Sequence, residues 1–230
     1  MAPTQASHLP TTLRSPTHPI LLRTLEPSDF AAVSAVLSDP ENTQYDPHAS
    51  AVSPEVAKIV IARMRESAGV PSVVDEGSGE VVSGPGRVNL VVVFVGDDDD
   101  NGNGKTSSEG KGKEEEEGTV IGFGGYGGIN EHEEDGRKVR VGDVGVMINS
   151  AFRGRGFAAE AVRLAVEWGF KGVAEGGLQL ERVSATMSER NAPMRGLVEG
   201  RFGWKWVVKP GKQEGDGEVF FEVTGETWRK

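Results

Sequence analysis

Residues 145 to 161 constrain the fold more than any other stretch of the chain. A short apolar run, Val144, Val146, Met147 and Ile148, gives way to a polar turn, and Arg153, Gly154, Arg155 and Gly156 follow. Directly after them Phe157, Ala161, Leu164, Ala165 and Trp168 recur at helical spacing, with Glu160, Arg163 and Glu167 on the other face. A strand, a glycine-rich turn and a helix start form a unit that leaves main-chain N–H groups unpaired at the positive end of the helix dipole. Such a turn suits a phosphate or pyrophosphate, and glycine lets the main chain approach it with no Cβ between them.

Spacing separates two kinds of protein that use this turn. Gly154-x-Gly156-x-x-Ala159 matches the form of the dinucleotide-binding fingerprint. That fingerprint places its first glycine directly after a strand in the first βαβ unit, with an acid about 20 residues on. Here Asn149 to Arg153 intervene and the motif lies past the middle of the chain. Counted from Arg153 the same residues give Arg-x-x-Gly-x-Ala, which resembles motif A of the GNAT acyl-CoA N-acyltransferases. The run Phe152 to Ala161 is similar to the branch that includes the ribosomal-protein acetyltransferases of RimJ/RimL type.

The flanks carry the same resemblance over about residues 20 to 228. Leu21 to Phe30 resembles the opening of a GNAT domain: a strand, then Pro27 at a helix start with Asp29 in its first turn, and an apolar stripe of Phe30, Val33 and Leu37. A second helix is predicted from Pro54 to about Ser67 on Val56, Ile59, Val60 and Met64, and strands over Val88–Val95 and Thr119–Tyr126. Arg182 to Asn191 reads as a strand ending in a polar turn, and Ala192 to Trp204 resembles the family's next helix and its closing Gly-Phe signature. The chain departs from the family in three places. Met194 stands where members often carry a small residue, and the spacing from Asn191 to Gly203 is one residue longer than the family pattern. The helix also lacks the tyrosine that in many members reprotonates the thiolate, since the chain has only Tyr45 and Tyr126, which leaves that step to solvent or to another residue.

Composition excludes several classes. With no cysteine there are no disulfides, thiol nucleophiles or thiolate metal sites, and no metal is expected. No apolar stretch approaches the roughly 20 residues of a membrane span. The net charge of −10 is concentrated: residues 96–118 hold nine acids and three lysines, which leaves only −4 elsewhere. That Gly/Asp/Glu/Ser segment cannot repay its ordering entropy and is expected to be a disordered insertion at a hairpin tip. Asp97 to Asp100 lack the alternating ligands of a calcium loop. Residues 1–19, with four prolines, are expected as a disordered tail, and Gly69 to Gly86 as a flexible connection. The acidic balance argues against nucleic acid as partner. One domain over residues 20–228 is expected, cytoplasmic, with nuclear or mitochondrial placement left open, and monomeric or homodimeric.

The resemblance implies an α/β (α+β) GNAT fold: a mixed, mostly antiparallel sheet of six or seven strands flanked by about four helices. It also implies transfer of an acetyl group from acetyl-CoA to a primary amine by direct attack on the thioester. In that fold the main chain around Met147 and Ile148 binds the thioester and pantetheine, and Arg153, Gly154, Arg155, Gly156, Phe157 and Ala158 hold the pyrophosphate. Asn191 is a candidate CoA or catalytic contact, or a helix N-cap ahead of Pro193. Asp143 is a candidate base, or an exposed strand-edge acid. Tyr126 is a candidate acceptor contact, or an ordinary strand aromatic. His132 reads as a surface residue, and Trp204, Trp206 and Phe220 as core. The acceptor is a peptide N-terminus, a lysine or a small amine. An α-amine, with a pKa of about 7.7–8 against about 10.4 for lysine, needs less help from a base. Two rivals remain: a non-catalytic acyl-CoA-binding GNAT module and a dinucleotide-binding oxidoreductase.

Overall fold

The computed structural model describes residues 4–45, 50–96, 118–207 and 217–228. In chain order they form β1 (Thr4–Ala6), β2 (Thr12–Arg14), β3 (Ile20–Thr24), α1 (Phe30–Ser38), α2 (Pro40–Thr43), α3 (Pro54–Gly69), β4 (Ser72–Val74) and β5 (Val81–Ser83). There follow β6 (Val88–Phe94), β7 (Thr119–Glu134), β8 (Arg137–Ile148), α4 (Phe157–Phe170), β9 (Arg182–Ser188), α5 (Ala192–Arg195), β10 (Lys205–Val207), β11 (Glu218–Thr224) and α6 (Gly225–Trp228).

Eight strands make the main sheet, one more than expected, in the order β10-β11-β9-β8-β7-β6-β3-β2. Every neighbouring pair is antiparallel except β8 and β9. β6 lies deep in the sheet, so its apolar run is buried on both faces. Val88, Leu90 and Val92 face α4, whose Phe157, Ala161, Leu164, Ala165 and Trp168 supply the other half of the larger core. Val91 and Val93 face the opposite layer, where Val33 and Val36 of α1 and Ile61 of α3 pack with Leu21, Leu25 and Phe123. No helix among the described residues is long and apolar enough to cross a membrane.

Several expectations change. Residues 4–19 are not a tail: β2 pairs with β3 at the sheet edge, and His8 is buried. Gly69 to Gly86 is not a loose connection either. It carries the β4–β5 hairpin, which joins β1 in a small second sheet. Asp75 Oδ1 closes the hairpin turn by accepting from the Gly77 and Ser78 N–H groups. α3 is helical as read but turned about its axis. Val56 and Ile59 are 47 and 55% exposed, whereas Ala57, Ile61 and Ala68 are buried. A search for bulky apolar residues overlooks the two alanines that let the helix approach its neighbours.

Trp204 is core, Phe220 is half-buried and Trp206 is 41% exposed, because β10 is the short outermost strand. The extra residue between Asn191 and Gly203 is taken up by a wide, π-type turn over Gly196–Arg201, in which the Phe202 N–H donates to the Leu197 carbonyl. The expected disordered insertion lies, apart from its two ends, outside the described residues. It connects β6 to β7 beyond the Phe94↔Thr119 pair.

Candidate active site

β8 is paired unequally on its two sides. With β7 the ladder continues to Gly122↔Ile148, but the parallel pairing with β9 stops at Asp143↔Ser184. Beyond Asp143 the two strands diverge, and one edge of residues 144–148 opens onto a cleft of about 460 Å³, within the roughly 300–1,000 Å³ of small-ligand sites. The Asn149 N–H donates to the Ile121 carbonyl at 2.8 Å, so by antiparallel alternation the main chain of Gly145 and Met147 also faces β7. Val144, Val146 and Ile148 then turn theirs to the cleft. Of the two residues expected to offer main chain here, Ile148 turns it to the cleft and Met147 turns it to β7; Val146 also faces the cleft, and all three residues line it. The phase of the ladder decides this, and one sequence cannot show it.

The turn at the cleft mouth has the expected backbone and different side-chain duties. Gly154 (φ 76°) and Gly156 (φ 83°) both occupy the left-handed region, and Gly156 caps α4. A Cβ on Gly154 or Gly145 would meet nothing within 4 Å, so bare main chain faces open space at both positions. Together with the free edge of β8, that surface fits an extended acyl-CoA with its phosphates at the turn. The Arg153 side chain is committed elsewhere. Its Nε donates to the Ile148 carbonyl at 3.0 Å, and its terminal nitrogens reach Glu41 and, at 2.6 Å, Asn42 Oδ1. The guanidinium thus ties the turn to α2, and the Arg153 N–H donates to the Ser150 carbonyl at 3.3 Å, so neither is free for a phosphate. Arg155 is exposed, with its guanidinium over the Phe152 ring. Phe157 is buried against Phe94 and His18, so its N–H and not its ring belongs to the turn. Ala158 lines the cleft.

Asp143 stands at the point where the strands part. Its Oδ1 accepts from Ser184 Oγ (3.0 Å), Thr186 N–H (3.0 Å) and Thr186 Oγ1 (3.1 Å), so it is a fixed wall of the cleft and not a strand-edge decoration. Asn191 also lines the cleft, and its Oδ1 accepts from the Met194 N–H at 3.1 Å as the N-cap of α5. Tyr126 is removed from the acceptor site. It is fully buried on the α4 side, donates to the Ala165 carbonyl at 2.9 Å, and burial pushes its phenol pKa up. His132 is exposed, as expected. Among the described residues no group of three His, Asp or Glu is placed to hold a metal ion.

The sequence reading missed three features. Glu41, Asn42 and Tyr45 form the far wall, brought there by α2 with no local signal. His18 sits beside the turn, its Nε2 3.0 Å from where a Gly156 Cβ would be, and its Nδ1 is 2.9 Å from Thr17 Oγ1. Nearby, Glu160 accepts from Arg163 and from Ser15 and Thr17. The Arg163 hydrogen bonds, against the effect of burial, hold its carboxyl down to about 2, so an anion at the turn meets a neutralised pair. The third feature, Asn89 in β6, did leave a mark in the sequence: it is the one polar residue in the run Val88–Val95.

A strand splayed after an acid, followed by a glycine turn that caps the next helix, is the arrangement that the resemblance to the acyl-CoA acyltransferases implies. Residues 20–203 match the acetyltransferase (GNAT) domain, and the chain belongs to that family, whose members use acyl-CoA. Over 97 residues it is 37% identical to the N-acetyltransferase 9-like protein of Caenorhabditis briggsae, and the match spans 42% of each chain. RimJ of Mycobacterium smegmatis, solved in complex with CoA-disulfide, has a similar fold (TM-score 0.59, 18% identity, 98% of this chain and 91% of that one). So does the ribosomal-protein-S5-alanine acetyltransferase of Vibrio fischeri (TM-score 0.58, 16% identity, 96% of this chain and all of that one).

Proposed function

We propose that the chain is an N-acetyltransferase that takes acetyl-CoA as donor and a primary amine, with an α-amine favoured, as acceptor. The observation that carries this reading is the parting of β8 from β9 immediately after Asp143, which puts a strand edge with no neighbouring strand and a carboxylate in one cleft. Acetyl-CoA supplies the acyl group as a thioester, with the thiol as leaving product. Val146 and Ile148 orient the donor through main-chain groups at the cleft edge, and the N–H groups of residues 154–158 hold its phosphates at the start of α4. Asp143, anchored by Ser184 and Thr186, accepts the amine proton directly or through water. Positioning is the larger part of the work, because a neutral amine needs little more than alignment. The names of the nematode relative and the Vibrio enzyme support an amine acceptor, and a cytoplasmic setting suits the absence of cysteine.

Acetyl-CoA is expected to raise the melting temperature of the protein, and NAD(P)H is not. Gly156→Asp should abolish the shift: it forces a side chain into a left-handed conformation beside His18 and sets a carboxylate where phosphate sits. Stabilisation by NADH alone would overturn the proposal. Acetyl-CoA binding with no thiol release on any amine of a broad panel would leave the non-catalytic module, the reading favoured by the lack of a tyrosine on α5.

A further inference from the structure

Asn89 is a buried polar residue that neither the fold nor the acetyl-CoA site uses. It sits in β6 on the same face as Val91 and Val93, is only 6% exposed, and no described group donates to its Oδ1. A buried amide oxygen without a partner destabilises the fold, and a leucine of similar size would pack in the same strand at no such cost. The Oδ1 itself is buried, yet Asn89 is one of the residues that line the cleft. Level with it across the sheet are Gly125 and then Gly145, neither of which puts a side chain between the amide and β8. Asn89 therefore overlooks bare main chain, two strand spacings (roughly 9–10 Å) from Gly145. On β8 the next residue of that face toward the point of parting is Asp143.

We infer that Asn89 is an acceptor-binding residue, whose carboxamide oxygen takes an N–H of the incoming primary amine and turns its nitrogen toward the Gly145 main chain and Asp143. The inference deepens the acetyltransferase reading and rests on it. The chemistry selects the class of ligand. An unpaired acceptor oxygen and a carboxylate facing one floor call for a donor with more than one N–H, which a primary amine has and a thioester or an alcohol lacks. A secondary amine keeps one N–H for two acceptors and is expected to be a poor substrate. Asn89 and Asp143 divide the work: the amide directs the nitrogen and the carboxylate takes its proton.

The test uses Asn89→Leu in the full chain, with acetyl-CoA as donor and an equimolar set of unblocked hexapeptides varied at the first residue as acceptor. The expected result is a melting temperature equal to or above that of the wild type, an unchanged acetyl-CoA shift, and an acceptor KM raised roughly tenfold. The KM for acetyl-CoA should stay within about twofold. Asn89→Ala serves as a second variant should the leucine pack badly, and should give the same rise in acceptor KM. A lower melting temperature with unchanged acceptor KM in both variants would make Asn89 a structural residue and overturn the inference. A wild type that acetyl-CoA does not stabilise, or that transfers to no peptide, refutes instead the reading on which the inference rests. That outcome is visible before any variant is made.

Discussion

Asp143 shows how one side chain can be both scaffold and reagent. Its Oδ1 is held by two hydroxyls and a main-chain N–H of β9, so the carboxylate marks the last point at which β8 and β9 are still joined. Asp143→Asn leaves an amide oxygen able to accept the same three donors. The variant should therefore fold, with its melting temperature little changed and its acetyl-CoA shift intact. If the carboxylate takes the amine proton, turnover should fall by roughly two to four orders of magnitude, and the deficit should shrink at high pH, where more of the acceptor is already neutral. Unchanged turnover at neutral pH would leave Asp143 with the scaffold role alone. Tyr126 is the counter-case. Its hydroxyl, read as near the acceptor, belongs to the packing of α4 on β7, a matter of which face of the strand meets the helix.

At the scale of the element, α3 separates periodicity from packing. A helix from Pro54 was legible from the spacing of Val56, Ile59, Val60 and Met64, and the structure adds Ser53 as its N-cap, the hydroxyl accepting from the Val56 N–H. The buried stripe was not. Ala57, Ile61 and Ala68 face the sheet, while the larger Val56 and Ile59 face outward. Ile61→Ala should destabilise the protein by about 2–4 kcal/mol, as loss of a buried aliphatic side chain does. Ile59→Ala should change stability by no more than about 0.5 kcal/mol. Denaturant melts of the two variants check the assignment, and the reverse order would restore the stripe read from the sequence. The turn before α4 is the opposite situation. Gly154 and Gly156 announced their left-handed backbone directly, because few other residues adopt it without strain.

At the scale of the whole molecule, residues 4–19 act as a strap across the sheet edge and not as a tail. The His8 N–H donates to the Ala68 carbonyl, the His8 carbonyl accepts from Thr24 Oγ1, and its ring meets Ser72 Oγ at 2.8 Å and the edge of Trp168. Burial first, and then the Arg140 guanidinium, push the imidazole from 6.5 down to about 4. The unfolded chain takes up that proton below about pH 6.5, whereas the folded one resists until about pH 4. The stability owed to neutral His8 is thus complete above pH 6.5 and is lost as the pH falls toward 4, on the order of 2–3 kcal/mol. A melting-temperature profile should drop across that window, and His8→Gln should flatten the drop. A profile unaffected by the substitution would show that other groups control the acid limb.

What the chain determined locally was the strand–turn–helix unit from Val144 to Trp168, because backbone conformation and helical periodicity are written in adjacent residues. Two glycines that must take positive φ and an apolar stripe at helical spacing specify that unit with no help from the rest of the fold. The tertiary structure decided the site. Asp143 meets Thr186 43 residues further on, Arg153 meets Asn42 across 111, and Asn89 comes level with Gly145 only through the register of two ladders. Such register depends on which strands pair and where pairing stops, and those are energies of long-range contact that no local pattern carries.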